Sequence, residues 1–459
     1  MAKPNLLFIF ADQLRYDALG CCGNTMVRTP NLDRLAERGI VFDQAFSSCP
    51  ICSPYRGQIL TGLYSHQNGV MDNEYKMKTD ITTLPQALKS AGYRTGYVGK
   101  WHLGYGPYPA EKRYGFDYMA AYNCNHDYYN ISYHENENGP IKIDGWAPEK
   151  ETSLAIGFME EQVRKDRGNP FALLLSWGPP HHPYEKYPAQ YKIYDPSEVD
   201  IRPNVPKEME DIARRETADY YGNITALDAQ MGRIMKVLDD LGLAENTILC
   251  FTSDHGDHLR SHGYAKCNDP SITDNTKRAS KATPFEESIH IPLMVSWPAK
   301  VKGHRRTDVL FNSVDVMPTL LGMCEVNIPD EVQGSDLSHV LIGGAGSVPD
   351  SVYLQILGEG WPHRGKWVGF WRGVRTDRWL YARWYKNETG PYLFDVRNDP
   401  YELNNLWDNP EYAEVQETLE ARLKKWLDDT HDPFDTGARD PKTGMLLLGQ
   451  EFTHEKWLK

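Results

Sequence analysis

The fold is decided by a short stretch near the start of the chain, LLFIFADQ at residues 6–13. Residues 6–10 are all apolar, and a run without alternation predicts a strand that is buried on both faces of a sheet. Asp12 and Gln13 then place two polar side chains just past the end of this strand. Because ligands of open α/β sheets bind beyond the carboxyl ends of the strands, the stretch predicts a core strand that delivers polar groups to a functional site.

The same arrangement, a buried strand followed by polar residues, recurs along the chain. Further strands are predicted at residues 93–98, 171–176, 247–253 and 291–297, with helices at 31–38, 84–91 and 218–241. This alternation predicts an α/β fold in which a large, mixed and mostly parallel sheet is sandwiched by helices. The polar residues that closely follow these strands are Lys100, Trp101, His102, His181, His182, Asp254 and His255. We expect them to meet Asp12 and Gln13 at one edge of the sheet.

The last quarter of the chain has a different character. From about Asp336 it consists of short aromatic and polar runs, which predict a small antiparallel sheet, and residues 410–429 predict one closing helix. A stretch with several glycines at 334–346 separates the two parts. We therefore predict a large domain at residues 1–340 and a smaller C-terminal α+β subdomain at 341–459.

Composition excludes several classes of protein. Of the 459 residues, 40% are apolar and 25% charged, as in a globular protein. The net charge of −13 argues against binding to nucleic acid or to an anionic membrane. The apolar run at 6–11 is too short to span a bilayer, so no membrane partner is expected. We expect a cytoplasmic protein if Met1 is the native start, and a periplasmic or secreted one if a signal peptide has been removed.

Cys52 stands out among the eight cysteines, which are too few in a chain of this length for a disulfide scaffold. Ser53 is a good N-cap and Pro54 a good first helical residue, so Cys52 should lie just before a helix N-terminus, where the pKa of a thiol falls. The pattern allows a buried structural cysteine, a redox pair with Cys49, or the source of a nucleophile.

The third interpretation follows from a resemblance. Cys52-x-Pro54-x-Arg56, followed by Leu60-Thr61-Gly62, resembles the signature of the type I sulfatases of the alkaline-phosphatase superfamily, whose motif cysteine is oxidised to formylglycine. The segments at 12–20, 99–104, 180–183, 253–256 and 394–406 resemble other blocks of the family in the same order. The resemblance covers most of residues 4–300 and the segment 367–406. It implies an alkaline-phosphatase-like fold, hydrolysis of sulfate monoesters, a bound Ca²⁺ or Mg²⁺, and a formylglycine-generating or radical maturation enzyme as partner.

The resemblance also implies the roles of individual residues. Asp12, Gln13, Asp254 and His255, with the group made from Cys52, would hold the metal, because oxygen-rich ligation suits calcium or magnesium. Arg56 would hold the formylglycine, and Lys100 and Lys281 would neutralise the sulfuryl oxygens. His181 would protonate the leaving alcohol and His102 would deprotonate the second hydroxyl. Lys100 and His102 alternate along a segment that we expect to be extended, so both should point to one side. Lys266, Lys277 and Arg278 fit the position of Lys281 less well.

The substrate is less closely defined. Some aromatic residues and two histidines lie outside the predicted sheet core and favour a sulfated carbohydrate, with aryl sulfates as side substrates: Tyr122, Tyr128, Tyr129, Tyr133, Trp361, Trp367, Trp371, His126 and His363. Gln13 departs from the two acids usual in the family, which keeps a phosphonate monoester or phosphodiester hydrolase open as an alternative. A thiol-disulfide protein using Cys49 and Cys52, or a binding module in a host without the maturation enzyme, are the other hypotheses. The sequence leaves open whether the protein forms a homo-oligomer.

Overall fold

A computed structural model of the chain describes residues 3–265, 280–357, 369–385 and 390–437. Its main feature is a mixed sheet, of which the described part of the chain forms ten strands. From one edge to the other these are β11 (Arg305–Thr307), β2 (Ile40–Phe42), β10 (Leu293–Ser296), β9 (Thr247–Ser253), β1 (Asn5–Asp12), β8 (Phe171–Pro180), β4 (Arg94–Lys100), β5 (Tyr118–Tyr122), β6 (Ser132–Glu135) and β7 (Asn138–Lys142).

The centre of this sheet is parallel, and its antiparallel pairs lie towards the margins, although the edge strand β11 is parallel to β2. Strand β1 pairs in parallel with β8 on one side and β9 on the other, and β8, β4 and β5 continue the parallel order. Strand β10 is antiparallel to both β9 and β2, and the hairpin of β6 and β7 runs antiparallel beside β5. The prediction of a mixed, mostly parallel sheet is therefore confirmed.

Helices cover both faces of the sheet because its central strands are apolar on both sides. On β1, Leu7 and Ile9 belong to one core cluster, and Leu6 and Phe8 belong to the other. Helices α1 (Pro30–Glu37), α5 (Ala147–Asp166) and α6 (Glu210–Asp240) pack on the first face. Helices α2 (Cys52–Thr61), α4 (Leu84–Ser90), α8 (Val316–Met323) and α9 (Ser338–Ile342) pack on the second, and α3 (Ser65–Asn68) and α7 (Glu286–Ile289) are single turns. None of the described helices is both long and apolar enough to cross a membrane.

The C-terminal part is a separate antiparallel sheet of β13 (Val352–Ile356), β14 (Trp371–Arg375), β15 (Trp379–Trp384) and β16 (Tyr392–Asp395), backed by helix α10 (Ala413–Thr430). A short two-stranded pair, β3 (Ala45–Phe46) and β12 (Phe311–Asn312), lies apart from both larger sheets. The predicted small sheet and closing helix are confirmed. The predicted domain boundary between residues 340 and 341 falls inside α9, whose Leu341 packs in the core of the large sheet; the boundary stays a prediction.

Two local predictions are wrong. Helix α6 begins at Glu210 and not at 218, so it is longer than its apolar pattern indicates. Ser53 does not cap helix α2: the helix starts at Cys52, and the Ser53 hydroxyl donates to the carbonyl oxygen of His102 at 2.5 Å. A tertiary hydrogen bond has taken the place of the local cap. The helix ends at Gly62, which adopts the left-handed conformation (φ 65°) that glycine favours.

Candidate active site

Four neighbouring parallel strands end at the same edge of the sheet and bring the predicted polar residues together there. Asp12 is the last residue of β1, and Lys100 is the last of β4. His181 follows β8 directly, and Asp254 follows β9 directly. The N-terminus of helix α2 adds Cys52 to this edge, so five separate segments contribute to one buried site.

Cys52 lies at the centre of the site, with only 2% of its surface exposed. Its Sγ is 3.1 Å from Lys281 Nζ, 3.3 Å from His255 Nε2 and 3.7 Å from Asp12 Oδ1. Burial and the charge of Asp12 would raise the pKa of the Cys52 thiol, but the positive charges of Lys100 and Lys281 hold it well below its usual range. The surroundings of Cys52 therefore favour an anionic oxygen or sulfur at this position.

Asp12, Cys52, Asp254 and His255 each offer one ligand atom, and these atoms lie within 4.8 Å of one another. His255 Nδ1 donates to the carbonyl oxygen of Gly256 at 2.9 Å, which leaves the lone pair of Nε2 facing the cluster. Nε2 is 3.5 Å from Asp254 Oδ1 and 3.7 Å from Asp12 Oδ1. This convergence of buried donor atoms suits a hard divalent cation.

The side-chain amide of Gln13 presents its oxygen, Oε1, to the same cluster. Its Nε2 donates to Asp257 Oδ2 at 2.5 Å and to Ser280 Oγ at 3.2 Å, so the opposite end of the amide, Oε1, faces Lys281 Nζ at 3.1 Å. The backbone of Gln13 is in the left-handed region (φ 69°), a strained conformation for this residue type that is often found at functional sites. Asp257 in turn accepts from the Tyr184 hydroxyl at 2.6 Å, so its carboxylate is fixed.

Three cations, Lys100, Lys281 and Arg56, surround the carboxylates of Asp12 and Asp254. Lys100 Nζ is 2.6 Å from Asp12 Oδ2, and Lys281 Nζ lies 3.1 Å from each of Gln13 Oε1, Cys52 Sγ and His255 Nε2. Burial alone would raise the pKa of Asp12, yet the charges of Lys100 and Lys281 hold it well below its usual range. Burial and the charge of Asp12 raise the pKa of Asp254. The site therefore combines negative ligands with an excess of positive charge, which an anionic substrate requires.

Arg56 binds both acidic candidate metal ligands. One nitrogen, Nη2, lies 3.1 Å from Asp12 Oδ2 and 3.3 Å from Asp254 Oδ2. The other, Nη1, donates to the Ser176 hydroxyl at 2.8 Å and to the Lys100 carbonyl oxygen. These partners fix the two candidate metal ligands relative to β4 and β8. The structure therefore shows Arg56 in contact with the two carboxylates. That Arg56 also holds the formylglycine stays a prediction.

His102 lies close to Cys52, although the chain around it does not have the predicted extended conformation. Its backbone is left-handed (φ 54°), so the segment after Lys100 is not extended, and the prediction of an alternating strand is wrong. Burial alone would lower the pKa of His102, but the charge of Cys124 and hydrogen bonds with Cys124 and Cys52 raise it. The imidazole therefore lies between two thiols, one of which is at the centre of the site.

His181 sits in a stack of imidazole rings. Its ring is parallel to that of His126, with centroids 4.0 Å apart, and its Nδ1 bonds to the carbonyl oxygen of His182 at 2.8 Å. Burial and the charges of His126 and Lys281 lower the pKa of His181 well below its usual range. The Tyr128 hydroxyl donates to the His181 carbonyl oxygen at 2.8 Å and anchors the backbone.

A buried acid, Glu151 of helix α5, lies near Tyr122 and Tyr128. It is 1% exposed, and within the described part of the chain neither of its carboxylate oxygens has a hydrogen-bond partner. Burial raises the pKa of Glu151 to about 8, and the nearby Tyr122 hydroxyl offsets this only in part. Glu151 is therefore protonated at neutral pH, as a carboxyl group without a cation should be.

Sequence reasoning missed several residues of the site. Asp257 carries a weak signal, since it follows Asp254 by three positions in the same loop, but its contact with Gln13 is tertiary. Cys124 lies in no recognisable motif, yet its Sγ is 3.4 Å from His126 Nε2. Burial alone would raise the pKa of the Cys124 thiol, but the charges of His102 and Lys100 lower it. The prediction that several aromatic residues lie outside the core is wrong for four of them, which are buried in core clusters: Tyr122, Tyr128, Tyr133 and Trp371. Other predicted residues lie outside the described part of the chain: Lys266, Lys277, Arg278, Trp361, His363 and Trp367.

The two cysteines of the C-x-x-C pattern face different surroundings. Cys49 belongs to an apolar cluster with Phe46 and Ile51, whereas the sulfur of Cys52 points into the polar site. Thiol-disulfide exchange needs two sulfurs that can bond to each other. The arrangement thus favours the interpretation in which Cys52 acts without Cys49.

The fold is that of the alkaline-phosphatase-like hydrolases, and comparison with known proteins narrows the class. The sulfatase family model matches residues 4–326, and the model described as N-sulphoglucosamine sulphohydrolase, C-terminal, matches residues 279–429. The chain therefore belongs to the sulfatase family and is a sulfuric ester hydrolase.

Individual relatives agree with this assignment. An ulvan-active sulfatase from Formosa agariphila is 35% identical over 94% of this chain and 82% of its own. The crystal structure of a sulfatase from Bacteroides fragilis is 34% identical, with a TM-score of 0.83 over 94% of this chain and 97% of its own. A solved complex with the substrate D-glucosamine-2-N,6-O-disulfate has 25% identity and the same TM-score of 0.83, over 95% of this chain and 100% of its own.

Proposed function

We propose that this sulfatase removes sulfate from a sulfated carbohydrate, using a formylglycine made from Cys52 and a bound calcium ion. The observation that carries the proposal is the position of Cys52, whose sulfur lies within 4.8 Å of ligand atoms from Asp12, Asp254 and His255. Lys281 Nζ lies 3.1 Å from the same sulfur. Such a group of ligands and cations suits a nucleophile that attacks an anionic ester.

The donor set supports a calcium site. Asp12, Asp254 and Gln13 supply oxygens, His255 supplies Nε2, and the group made from Cys52 would supply a further oxygen. Oxygen-dominated ligation by carboxylate and amide groups suits Ca²⁺, with Mg²⁺ as the closest alternative. When bound, the ion would lower the pKa of a neighbouring hydroxyl and stabilise negative charge on the sulfuryl oxygens.

The first half of the reaction transfers the sulfuryl group to the enzyme. The hydrated aldehyde of residue 52 carries two geminal hydroxyls. One of them releases its proton to water, and its oxygen forms a bond to sulfur while the bond from sulfur to the alcohol oxygen breaks. Lys100 and Lys281 neutralise the sulfuryl oxygens. His181 gives a proton from Nε2 to the leaving alcohol. Its lowered pKa makes the imidazolium a stronger acid, and the negative charge of the bound ester helps to protonate it.

The second half releases sulfate without a second attack at sulfur. His102 takes the proton of the remaining hydroxyl, the carbon–oxygen double bond re-forms, and the bond from carbon to the sulfated oxygen breaks. The products are inorganic sulfate and the restored aldehyde. A serine or cysteine at position 52 would lack the second hydroxyl, so its sulfated form would have no such internal route of release.

The carbohydrate substrate is proposed from relatives and from exposed aromatic groups. One relative is named for activity on ulvan, and one solved relative holds a disulfated glucosamine as its substrate. In this chain Tyr129 is 41% exposed and follows Tyr128, whose hydroxyl binds the backbone of His181. A sugar ring can stack on such a face while its sulfate enters the site.

The experiment combines mass and kinetics on the purified enzyme. The peptide containing residue 52 should be lighter than the thiol form by exchange of one sulfur and two hydrogens for one oxygen. Activity on sulfated saccharides should vanish in Cys52→Ser and Cys52→Ala, while Cys49→Ala, with its side chain in the apolar cluster, should keep it. An unmodified thiol in active enzyme would refute the formylglycine, and a higher rate on an aryl phosphonate than on an aryl sulfate would favour phosphonate hydrolysis. Cleavage of aryl sulfates alone would refute the carbohydrate substrate.

A further inference from the structure

A second group of buried ligands lies outside the active site. It consists of His262, Glu287 and Glu402, which each offer one ligand atom, all within 4.8 Å of one another. His262 belongs to a turn after β9, Glu287 to the single turn α7, and Glu402 to the segment that follows β16. The group therefore joins the C-terminal sheet to the loops beside the large sheet.

Several oxygens of this group have unused hydrogen-bonding capacity. Within the described ranges, no hydrogen-bond partner meets Glu287 Oε2, Glu402 Oε1 or the neighbouring Asn204 Oδ1. The three residues are only 2%, 2% and 5% exposed. Asn204 Nδ2 donates to Glu287 Oε1 at 2.7 Å and lies 3.0 Å from His262 Nε2, which makes Asn204 part of the group. Buried acceptors without donors are rare in folded proteins and call for an explanation.

The neighbouring cations pair with Glu286 and Glu287 but leave Glu402 without an ion pair among the described residues. Arg375 Nε donates to Glu286 Oε1 at 2.8 Å, and Arg202 Nε lies 2.8 Å from Glu287 Oε1. Arg202 also bonds to Asp17. Glu402 accepts the backbone N–H of Glu286 at 2.8 Å, and no arginine or lysine of the described chain forms an ion pair with it. A buried carboxylate in this position is costly unless a proton or a cation neutralises it.

We propose that Glu287, Glu402 and His262 bind a divalent cation, separate from the ion of the active site. Two carboxylates and an imidazole suit a metal that accepts both oxygen and nitrogen, such as Mn²⁺. The ion would use the unpaired oxygens and supply the missing positive charge. Because its ligands come from both parts of the chain, it would fix the segment around Glu402 against the turn at His262.

Counting bound ions tests the proposal directly. Equilibrium dialysis of the purified enzyme against Mn²⁺ should give two ions per chain for the wild type. It should give one for Glu402→Gln, which keeps the shape of the side chain, and one for Asp254→Asn, which removes an active-site ligand. The double variant should bind none. A Glu402→Gln count equal to that of the wild type would overturn the proposal, and so would a wild-type count of one that disappears in Asp254→Asn.

A stability measurement separates the second site from the first and from a folding defect. In Asp254→Asn, a hundredfold excess of Mn²⁺ over its Kd should raise the apparent Tm by about 3 °C, because the ion binds only the folded state. The double variant Asp254→Asn/Glu402→Gln should show no rise. His262→Gln provides a second route to the same loss if Glu402→Gln fails to fold, as judged by circular dichroism. An equal rise in the double variant would show that the ion binds elsewhere.

Discussion

Replacing Glu151 by glutamine should stabilise the protein increasingly as the pH rises. Glu151 is buried without a cation, and its pKa is raised from the ordinary 4.5 to about 8. A carboxyl group whose pKa is raised on folding stabilises the protonated folded state, and this contribution is lost as the pH climbs towards the folded pKa. Glutamine has nearly the same shape as glutamate but cannot ionise, so the Glu151→Gln variant does not lose this stability as the pH rises.

The magnitude follows from the two pKa values. Between pH 5 and pH 7 the carboxyl group is mostly ionised in the unfolded chain and mostly protonated in the folded one, so the wild type loses nearly 1.4 kcal/mol per pH unit. The free energy of unfolding of Glu151→Gln should therefore rise relative to that of the wild type by about 2 to 3 kcal/mol over this range. For a cooperative unit of this size that corresponds to a gap in Tm that widens by about 3 °C.

Thermal unfolding of both proteins at several pH values measures the effect. Glu160→Gln is the matched control, because it removes the same group from an exposed position on the same helix. We expect the Tm of Glu151→Gln to approach that of the wild type at pH 5 and to exceed it at pH 7. A gap that stays constant, or one that widens towards low pH, would show that Glu151 is ionised in the folded protein and would refute the reasoning.

Three further variants test the site itself. Asp257→Asn should weaken metal binding by about 10- to 100-fold, measured by calcium titration, because the Gln13 amide loses its fixed acceptor; an unchanged affinity would remove Asp257 from the support of the metal site. His181→Gln should slow hydrolysis of an alkyl or sugar sulfate by about 100-fold or more but spare nitrophenyl sulfate, whose leaving group needs no proton; equal losses would contradict its role as acid. Arg56→Lys should destabilise the fold by about 3 kcal/mol in urea unfolding, since a lysine cannot serve the partners of both guanidinium nitrogens, and a loss below about 1 kcal/mol would contradict that account.

The strands of the sheet and the residues at their ends were predictable because both are local features. An unbroken apolar run such as residues 6–10 indicates burial on two faces wherever it occurs, and the chain then has to leave the sheet next to Asp12. The same reasoning located Lys100, His181 and Asp254. It required no knowledge of which strands are neighbours, because the carboxyl ends of parallel strands share one edge.

Other features depend on contacts that no local pattern encodes. Ser53 has the right type and position for an N-cap, but its hydroxyl finds the His102 carbonyl oxygen, and that partner exists only after β4 has joined the sheet. His102 adopts a left-handed backbone that its neighbours in sequence do not predict. Asp257 and Cys124 become notable only once Gln13 and His126 are placed beside them.

The burial of Cys52 sets the timing of the proposed maturation. With 2% of its surface exposed, and with the residues of helix α2 buried around it, the thiol is out of reach of another enzyme once the chain has folded. Oxidation to formylglycine would have to come before folding closes the site, so chains that fold first would stay inactive permanently. The fraction of active molecules would then depend on the rate of Cys52 oxidation relative to the rate of folding. Slower folding would increase the yield of active enzyme.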